Sequence, residues 1–497
     1  MKIANKIKNI IRTFLRIEPP AMTHITLQQH LDYYGNAAKN RIWYRGDSME
    51  LAQMYSQLDV PPTVFWKASC TRGMEIRKIH TGLPKLIVNT LSDIIVNDFN
   101  GVKSDDGAVQ DIWDKIYNNN GGDKLIKKFV RNMLIVGDGA YKVWFDVNID
   151  DVYPLVSFVP GEFVDFNRKN GRIYEVIFNT EYIYNSRRFT LKEVYGYGYI
   201  EYHLYAENGS EVPQNSIPQT EWINPKYPKV VFDENILLAV PCIYAESERY
   251  EGRGEGILDS KTDSFDALDE AWSQWMDALR AGRTKQYIPE CILPRNPNNG
   301  SITVPPNSFD NRYIAIGSDM SETAQNRIYT EQPSIPHDSY LSTYITALDL
   351  CLQGIISPST LGIDVKKLDN AEAQREKEKA TLYTRGSLIQ LANEVLPELV
   401  KAAVCGYQIG HKEELKIPEC TVNFGEYANP SFEAIVETVT KAKQGGVMSL
   451  EASIDELYGD SKTDEWKAEE VERLKAEQGI SDMEEPVFTD GGLTNAV

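Results

Sequence analysis

Two helix-patterned stretches, residues 258–283 and 335–356, enclose a run that cannot be helix, and this arrangement constrains the fold more than any other feature. In the first stretch Leu258, Phe265, Leu268, Trp272, Trp275, Met276 and Leu279 recur at spacings of three and four, the stripe of an amphipathic helix. The second repeats the pattern through Tyr340, Leu341, Tyr344, Ile345, Leu348, Leu352 and Ile355. Between them, "YIPECILPRNPNNGSITVPPNSFDNRYIAIG" is rich in Pro and Asn and carries short β-like runs. Helices framing a short insertion run antiparallel and hold it at their tip. About 25 helical residues would make the first of them roughly 38 Å long. The two tryptophans give its stripe a large apolar area, suited to a core or to packing against further copies of the same helix.

The next segment, "IISPSTLGIDVKKLDNAEAQREKEK", passes from apolar helix text through a polar loop with two adjacent lysines into a highly charged helix. Asn370, or Asp369 before it, is placed to cap that helix, and Glu372 adds favourable first-turn charge. The helix pattern continues to about residue 410, with Gly386 and Pro397 as interior positions where a kink is expected. A strand, "LKIPECTVNFG", then three shorter helix patterns complete the chain before an acidic tail that reads as flexible.

Upstream, "MKIANKIKNIIRTFLRI" sets Ile3, Ile7, Ile10, Ile11, Phe14 and Leu15 at helical spacing among lysines and arginines. It lacks a signal peptide's uninterrupted apolar core, and a basic amphipathic helix of this kind docks on a partner or lies on a membrane. Residues 26–100 are mostly helix text; within them Arg45-Gly46-Asp47 reads as a helix start, with Asp47 or Ser48 as the N-cap. From Gly137-Asp138-Gly139 to about residue 245, alternating and tyrosine-rich text predicts strands. Asp146, Asp150 and Asp151 are the one carboxylate group in the pattern of a magnesium site, but they fall in an expected hairpin turn.

At 497 residues the chain exceeds one hydrophobic core, and 42% hydrophobic with 25% charged residues is ordinary globular composition. No apolar run is long enough for a membrane-spanning helix. The net charge of −20, from 72 acidic and 52 basic residues, repels nucleic acid on average, which opposes tight DNA binding yet suits a surface past which DNA moves without sticking. Cys70, Cys242, Cys291, Cys351, Cys405 and Cys420 are scattered, without a paired zinc pattern, and reduced thiols are expected. There is no G-x-x-x-x-G-K-[ST] loop, no G-x-S-x-G elbow and no H-x-x-x-H, so no catalytic residues, metal or cofactor are assigned.

The order of these parts, with "WYRGD" at 43–47, "GDGAYKVWFD" at 137–146, "FDALDEAWSQWMDALRAGRTKQYIPECIL" at 265–293 and "ISPSTLGID…NAEAQREKEKATLYTR" at 356–385, resembles the portal proteins of tailed bacteriophages, in particular those infecting Gram-positive hosts. The resemblance implies an α+β portal fold. An N-terminal basic segment (1–25) would precede a wing (26–257), stem helices (258–283 and 335–356) and a clip (284–334). A tunnel loop (357–369), a kinked channel helix with a returning wing strand (370–425), a crown (426–480) and a flexible tail (481–497) would follow. It further implies a homo-oligomeric ring of twelve subunits at one capsid vertex of the virion, assembled in the bacterial cytoplasm. Double-stranded DNA would pass through it in packaging and ejection without sequence specificity. Its partners would be the large terminase subunit, head-completion adaptors, and major capsid and scaffolding proteins.

On this resemblance Lys366 and Lys367, flanked by Asp364 and Asp369, would stand at the channel's narrowest point, where lysines touch phosphates without reading sequence. Leu268, Trp272, Trp275, Met276, Leu279, Tyr344 and Leu348 would pack the stem and its subunit contacts. Two other readings stand beside it: another ring-forming adaptor or tail protein, and a metal-dependent nucleic-acid enzyme using Asp146, Asp150 and Asp151.

Overall fold

The computed structural model describes residues 31–68, 76–146, 148–232, 236–306, 311–318, 326–363, 371–425, 432–458 and 464–477. The chain forms two compact units, Met1–Phe424 and Gly425–Val497.

The first unit begins with α1 (Tyr33–Arg45) and α2 (Ser48–Gln57). Gly46, at φ 74°, ends α1 with its N–H on the Ile42 carbonyl, and Asp47 starts α2 by accepting the Met49 and Glu50 amides at 2.7 and 3.3 Å. The Arg-Gly-Asp triplet is thus a helix-to-helix joint. Next come α3 (Leu83–Asp98), β1 (Phe99–Ser104), α4 (Gly107–Asn119), α5 (Gly122–Ile135) and the hairpin β2 (Asp138–Asp146) and β3 (Asp150–Pro160).

A meander follows: β4 (Val164–Lys169), β5 (Arg172–Tyr184), β6 (Arg187–Gly196), β7 (Tyr199–Ala206), β8 (Glu211–Val212) and β9 (Lys229–Val231), then β10 (Ala239–Ile243). β4 to β8 lie side by side in chain order, and β9 also pairs with β7. A hairpin comes next, consisting of α6 (Thr262–Ala281), β11 (Thr284–Pro289), β12 (Asn311–Ile316), β13 (Tyr329–Glu331) and α7 (His337–Leu352). The unit closes with α8 (Ala371–His411) and β14 (Cys420–Phe424).

The core lies around the sheet β10-β2-β3, between α5 and α8. On one face Phe129 meets Tyr141 and Phe158 at ring distances of 5.6 and 5.8 Å; on the other Tyr153 stacks on Tyr407 of α8 at 5.5 Å. β2 begins buried on both faces, so its first residues must be small or satisfied. Gly137 and Gly254 supply the space, because a side-chain carbon on Gly137 would come within 2.3 Å of the Glu255 backbone and one on Gly254 within 2.2 Å of the Gly137 carbonyl. Asp138 is fully buried, accepting the Tyr33 hydroxyl and, at 2.9 Å, the Gly254 amide. Arg253 bonds the Val164 carbonyl and Asp165 at 2.6 and 2.9 Å while covering the Tyr33 ring. Gly137-Asp138-Gly139 and the Gly-Arg-Gly-Glu-Gly run at 252–256 therefore form a single joint.

The long helix is one 41-residue element, about 60 Å from end to end, and continues through Gly386 and Pro397. β14 returns to pair antiparallel with β1, from Phe99↔Phe424 to Ser104↔Cys420. In the second unit α9 (Phe432–Gln444), α10 (Leu450–Tyr458) and α11 (Asp464–Glu477) pack around Val439, Ile454 and Val471. Tyr458 and Trp466 meet there at 5.0 Å.

Candidate functional site: the helical hairpin, its root and the adjoining loop

α6 and α7 run antiparallel, as their spacing predicts. Lys261, just before α6, donates to the carbonyls of Leu350 and Gln353 at the end of α7, at 2.9 and 2.8 Å. Midway, Trp272 and Trp275 stand 5.4 and 6.3 Å from Tyr344; at the far end Gly282 lies directly against Ile335. The first helix was expected over 258–283 and occupies Thr262–Ala281. Leu258 is buried as anticipated, but it sits in a turn, where the Lys261 amide bonds back three residues to the Leu258 carbonyl at 3.2 Å. The second helix spans His337–Leu352 rather than 335–356.

The expected packing stripe divides by depth. Leu268 and Leu348 are buried, Trp272, Trp275, Met276 and Tyr344 are half-buried, and Leu279 is 46% exposed. Leu341 and Leu350 of α7 are also exposed.

At the tip, β11 is the centre of a three-stranded sheet in the order β12-β11-β13. β13 pairs antiparallel, Lys285↔Glu331 to Tyr287↔Tyr329, whereas β12 pairs parallel, Thr284↔Asn311 to Pro289↔Ile316. Strands and turns were anticipated there; the parallel pair was not.

The hairpin's root is built from polar residues that periodicity does not mark. Asp269 is fully buried on α6 and accepts four donors. They are Trp66 Nε1 at 3.1 Å, His80 Nδ1 at 2.7 Å, and the Thr81 amide and hydroxyl at 2.9 Å each. One turn earlier, Asp266 accepts the Phe65 and Trp66 amides at 2.9 and 3.2 Å, and burial pushes its carboxyl above the ordinary range. One turn later, Ser273 Oγ accepts the Ile79 amide at 2.9 Å. One face of α6 thus fastens the segment between α2 and α3. The only sequence signal was a Trp and a His among Pro and Gly, nearly two hundred positions from their carboxylates.

Asp364, Lys366, Lys367 and Asp369 lie outside the described residues, as do the expected caps of α8. The described base of their loop is closely held. Thr381 Oγ1 accepts the Ser357 amide at 2.8 Å, and Thr384 Oγ1 donates to the Ile355 carbonyl at 2.7 Å. A turn over Pro358 brings the Ile363 amide to the Pro358 carbonyl at 3.0 Å. Gly354 and Gly362, at φ 79° and 70°, supply the left-handed conformations that the two bends require.

The three aspartates of the metal reading serve the β2–β3 hairpin. Asp146 faces Asp150 in register and accepts the Asn148 amide at 2.9 Å. Asp150 accepts the Val152 and Tyr153 amides, each at 2.9 Å, and these bonds hold its carboxyl below the usual range. Asp151 is exposed. Among the described residues no group of three or more His, Cys, Asp or Glu could hold a metal ion, and no helix is long and apolar enough to cross a membrane.

A body of antiparallel sheets and helices, a helical hairpin tipped by a small mixed sheet, a loop with a pinned base and one long helix define a class, the phage portal that connects head to tail. The chain belongs to the phage portal protein family described as SPP1 Gp6-like, whose family model matches residues 23–332. It is a portal, or head-to-tail connector, protein of a bacteriophage. Among solved structures it is similar to a chain of the "Virion of native gene transfer agent (GTA) particle", at 11% identity over 84% of this chain and 90% of that one, with a TM-score of 0.37. It is also similar to a chain of the "Neck of native GTA particle computed with C12 symmetry", at 11% identity over 76% and 91%, with a TM-score of 0.36. No curated protein matches the chain.

Proposed function

We propose that twelve copies of the chain close into a ring at one capsid vertex, with the α6–α7 hairpins side by side around a channel for double-stranded DNA. The observation that carries this reading is the apolar surface that the two helices of the hairpin leave exposed. Leu279, Leu341 and Leu350 are 46%, 43% and 52% exposed in a single chain, beside the half-buried Trp272 and Trp275. Apolar surface of this kind marks an interface, and in a portal the neighbouring copy offers the matching flank.

The β tip (284–334) is the clip, which meets the large terminase subunit during packaging and head-completion adaptors afterwards. ATP chemistry belongs to the terminase, and this chain is structural. Residues 26–257 are the wing and 426–480 the crown, which with the major capsid and scaffolding proteins position the ring during assembly in the bacterial cytoplasm.

Residues 357–369 are the tunnel loop. The clasp by Thr381 and Thr384 supports this reading, because a loop repeated around a ring needs a fixed base to form a collar. Lys366 and Lys367 touch phosphates in a salt-dependent, sequence-independent way, while the net charge of −20 prevents tight retention.

Electron microscopy of the purified protein, classified by rotational symmetry, tests the ring; twelvefold rings with a central hole are expected, and monomers at all concentrations and in the presence of scaffold would overturn it. Replacing both Lys366 and Lys367 with Glu should leave rings intact and reduce the packaged genome several-fold. Normal packaging would remove these lysines from the channel.

A further inference from the structure

A groove of about 550 Å³ opens between β10 and the middle of α8. Leu237, Pro241 and Ile243, in and just before β10, line it on the strand side, and all three are only partly covered. α8 contributes Leu391 and Val395, with the carboxylates of Glu394 and Glu398 exposed among them. Glu398 has Lys401 at 3.4 Å, whereas Glu394 has no ion pair among the described residues. Ile173 at the start of β5 and the exposed Tyr197 also line the groove. An occupant with apolar side chains beside cations suits these walls.

The other end of β5 carries such a group. β5 and β6 are joined through Asn185 and Ser186, at φ 51° and 60°, a two-residue turn whose twist matches that of the strands. Ile183 pairs with Arg188 and Tyr184 with Arg187, so each face of the tip shows one apolar side chain beside one guanidinium. Ile183 is 74% exposed and Tyr184 36%. Arg187 has no ion pair among the described residues, and Arg188 has only Glu181 at 3.7 Å, an exposed contact that is worth little. Ile173 and Ile183 lie ten residues apart on one strand, which sets the groove and the tip of a single chain roughly 33 Å apart. The tip therefore cannot reach its own groove. A plug and a socket at opposite ends of one strand are the two halves of a head-to-tail contact, which closes into a ring when its rotation allows.

We propose that the β5–β6 tip of each copy seats in the β10–α8 groove of its neighbour, with Ile183 and Tyr184 against Leu237, Ile243, Leu391 and Val395 and with Arg187 and Arg188 on Glu394 and Glu398. The contact rests on the ring proposed above and gives it a direction: each copy lends a tip to one neighbour and receives one from the other.

Disulfide crosslinking of the full chain tests the contact. Ser186→Cys places a thiol on the tip and Tyr197→Cys one at the groove, both at exposed positions. Oxidising the double variant S186C/Y197C should join most chains into ladders that end in closed rings, while each single variant stays at the wild-type level. A bridge within one chain is excluded, because it needs Cα atoms within about 7 Å of each other. Charge reversal gives a second readout. R187E/R188E and E394K/E398K should each weaken association at least tenfold, and the two together should restore it, which misfolding would not do. Crosslinked ladders that never close would support the contact and overturn the ring. Closed rings without the crosslink would overturn the contact and leave the ring, and chains that stay single without a crosslink would overturn both.

Discussion

The root of the α6–α7 hairpin and the exposed apolar surface farther along it, here called its flank, are cut from the same two helices, yet they are built on opposite principles. At the root, α6 buries Phe265 and Leu268 and spends Asp266, Asp269 and Ser273 on donors from a segment nearly two hundred residues earlier. On the flank the same helix leaves Leu279 exposed, and no carboxylate of comparable burial secures it. Root side chains are satisfied within one chain; Leu279 would be covered only by the neighbouring copy that the proposed ring supplies. A helix can therefore carry a uniform apolar stripe and still divide its work between folding and assembly.

The sharpest way to break this contrast is at Asp269. Asp269→Ala leaves the Trp66, His80 and Thr81 donors buried without an acceptor, and roughly 3–5 kcal/mol of stability should be lost, read as a lowered unfolding midpoint. A loss under about 1 kcal/mol would mean that the root is held by packing alone. Leu268→Ala removes a fully buried side chain and should cost roughly 2–4 kcal/mol in the same measurement.

Trp272→Asp sits at the boundary. Because Trp272 is half-buried, water reaches the new carboxylate, and about 1–2 kcal/mol should be lost from the single chain while rings disappear by electron microscopy. Leu279→Ser should change the single chain by no more than about 0.5 kcal/mol and still lower the yield of rings. If Leu279→Ser assembled normally, the flank would not be an interface.

The hairpin, its β tip and the long helix were legible because each rests on local signals: periodicity, Pro and Asn clustering, and length. Asp47 as a helix start was legible for the same reason. Three features were not. The root depends on Asp269 meeting His80 and Trp66, and nothing at those positions announces a partner so distant in sequence. The β1–β14 and parallel β11–β12 pairings join strands whose texts give no register, since only the folded chain brings them together. The start of α6 was misplaced because Leu258 is apolar, in phase and buried, yet its carbonyl closes a three-residue turn with the Lys261 amide ahead of the helix. Periodicity reports which side chains are covered, and it is silent on what the backbone is doing.

The pinch where Gly282 touches Ile335 has a consequence beyond packing. The chain leaves the hairpin for the β tip and comes back at nearly the same point, so the tip is attached like a cartridge on two adjacent pins. Such an insert can be exchanged, lengthened or rebuilt by recombination without altering the distance that the helices beneath must span. A lineage carrying this hairpin is free to change what its tip fits while inheriting the rest of the molecule intact.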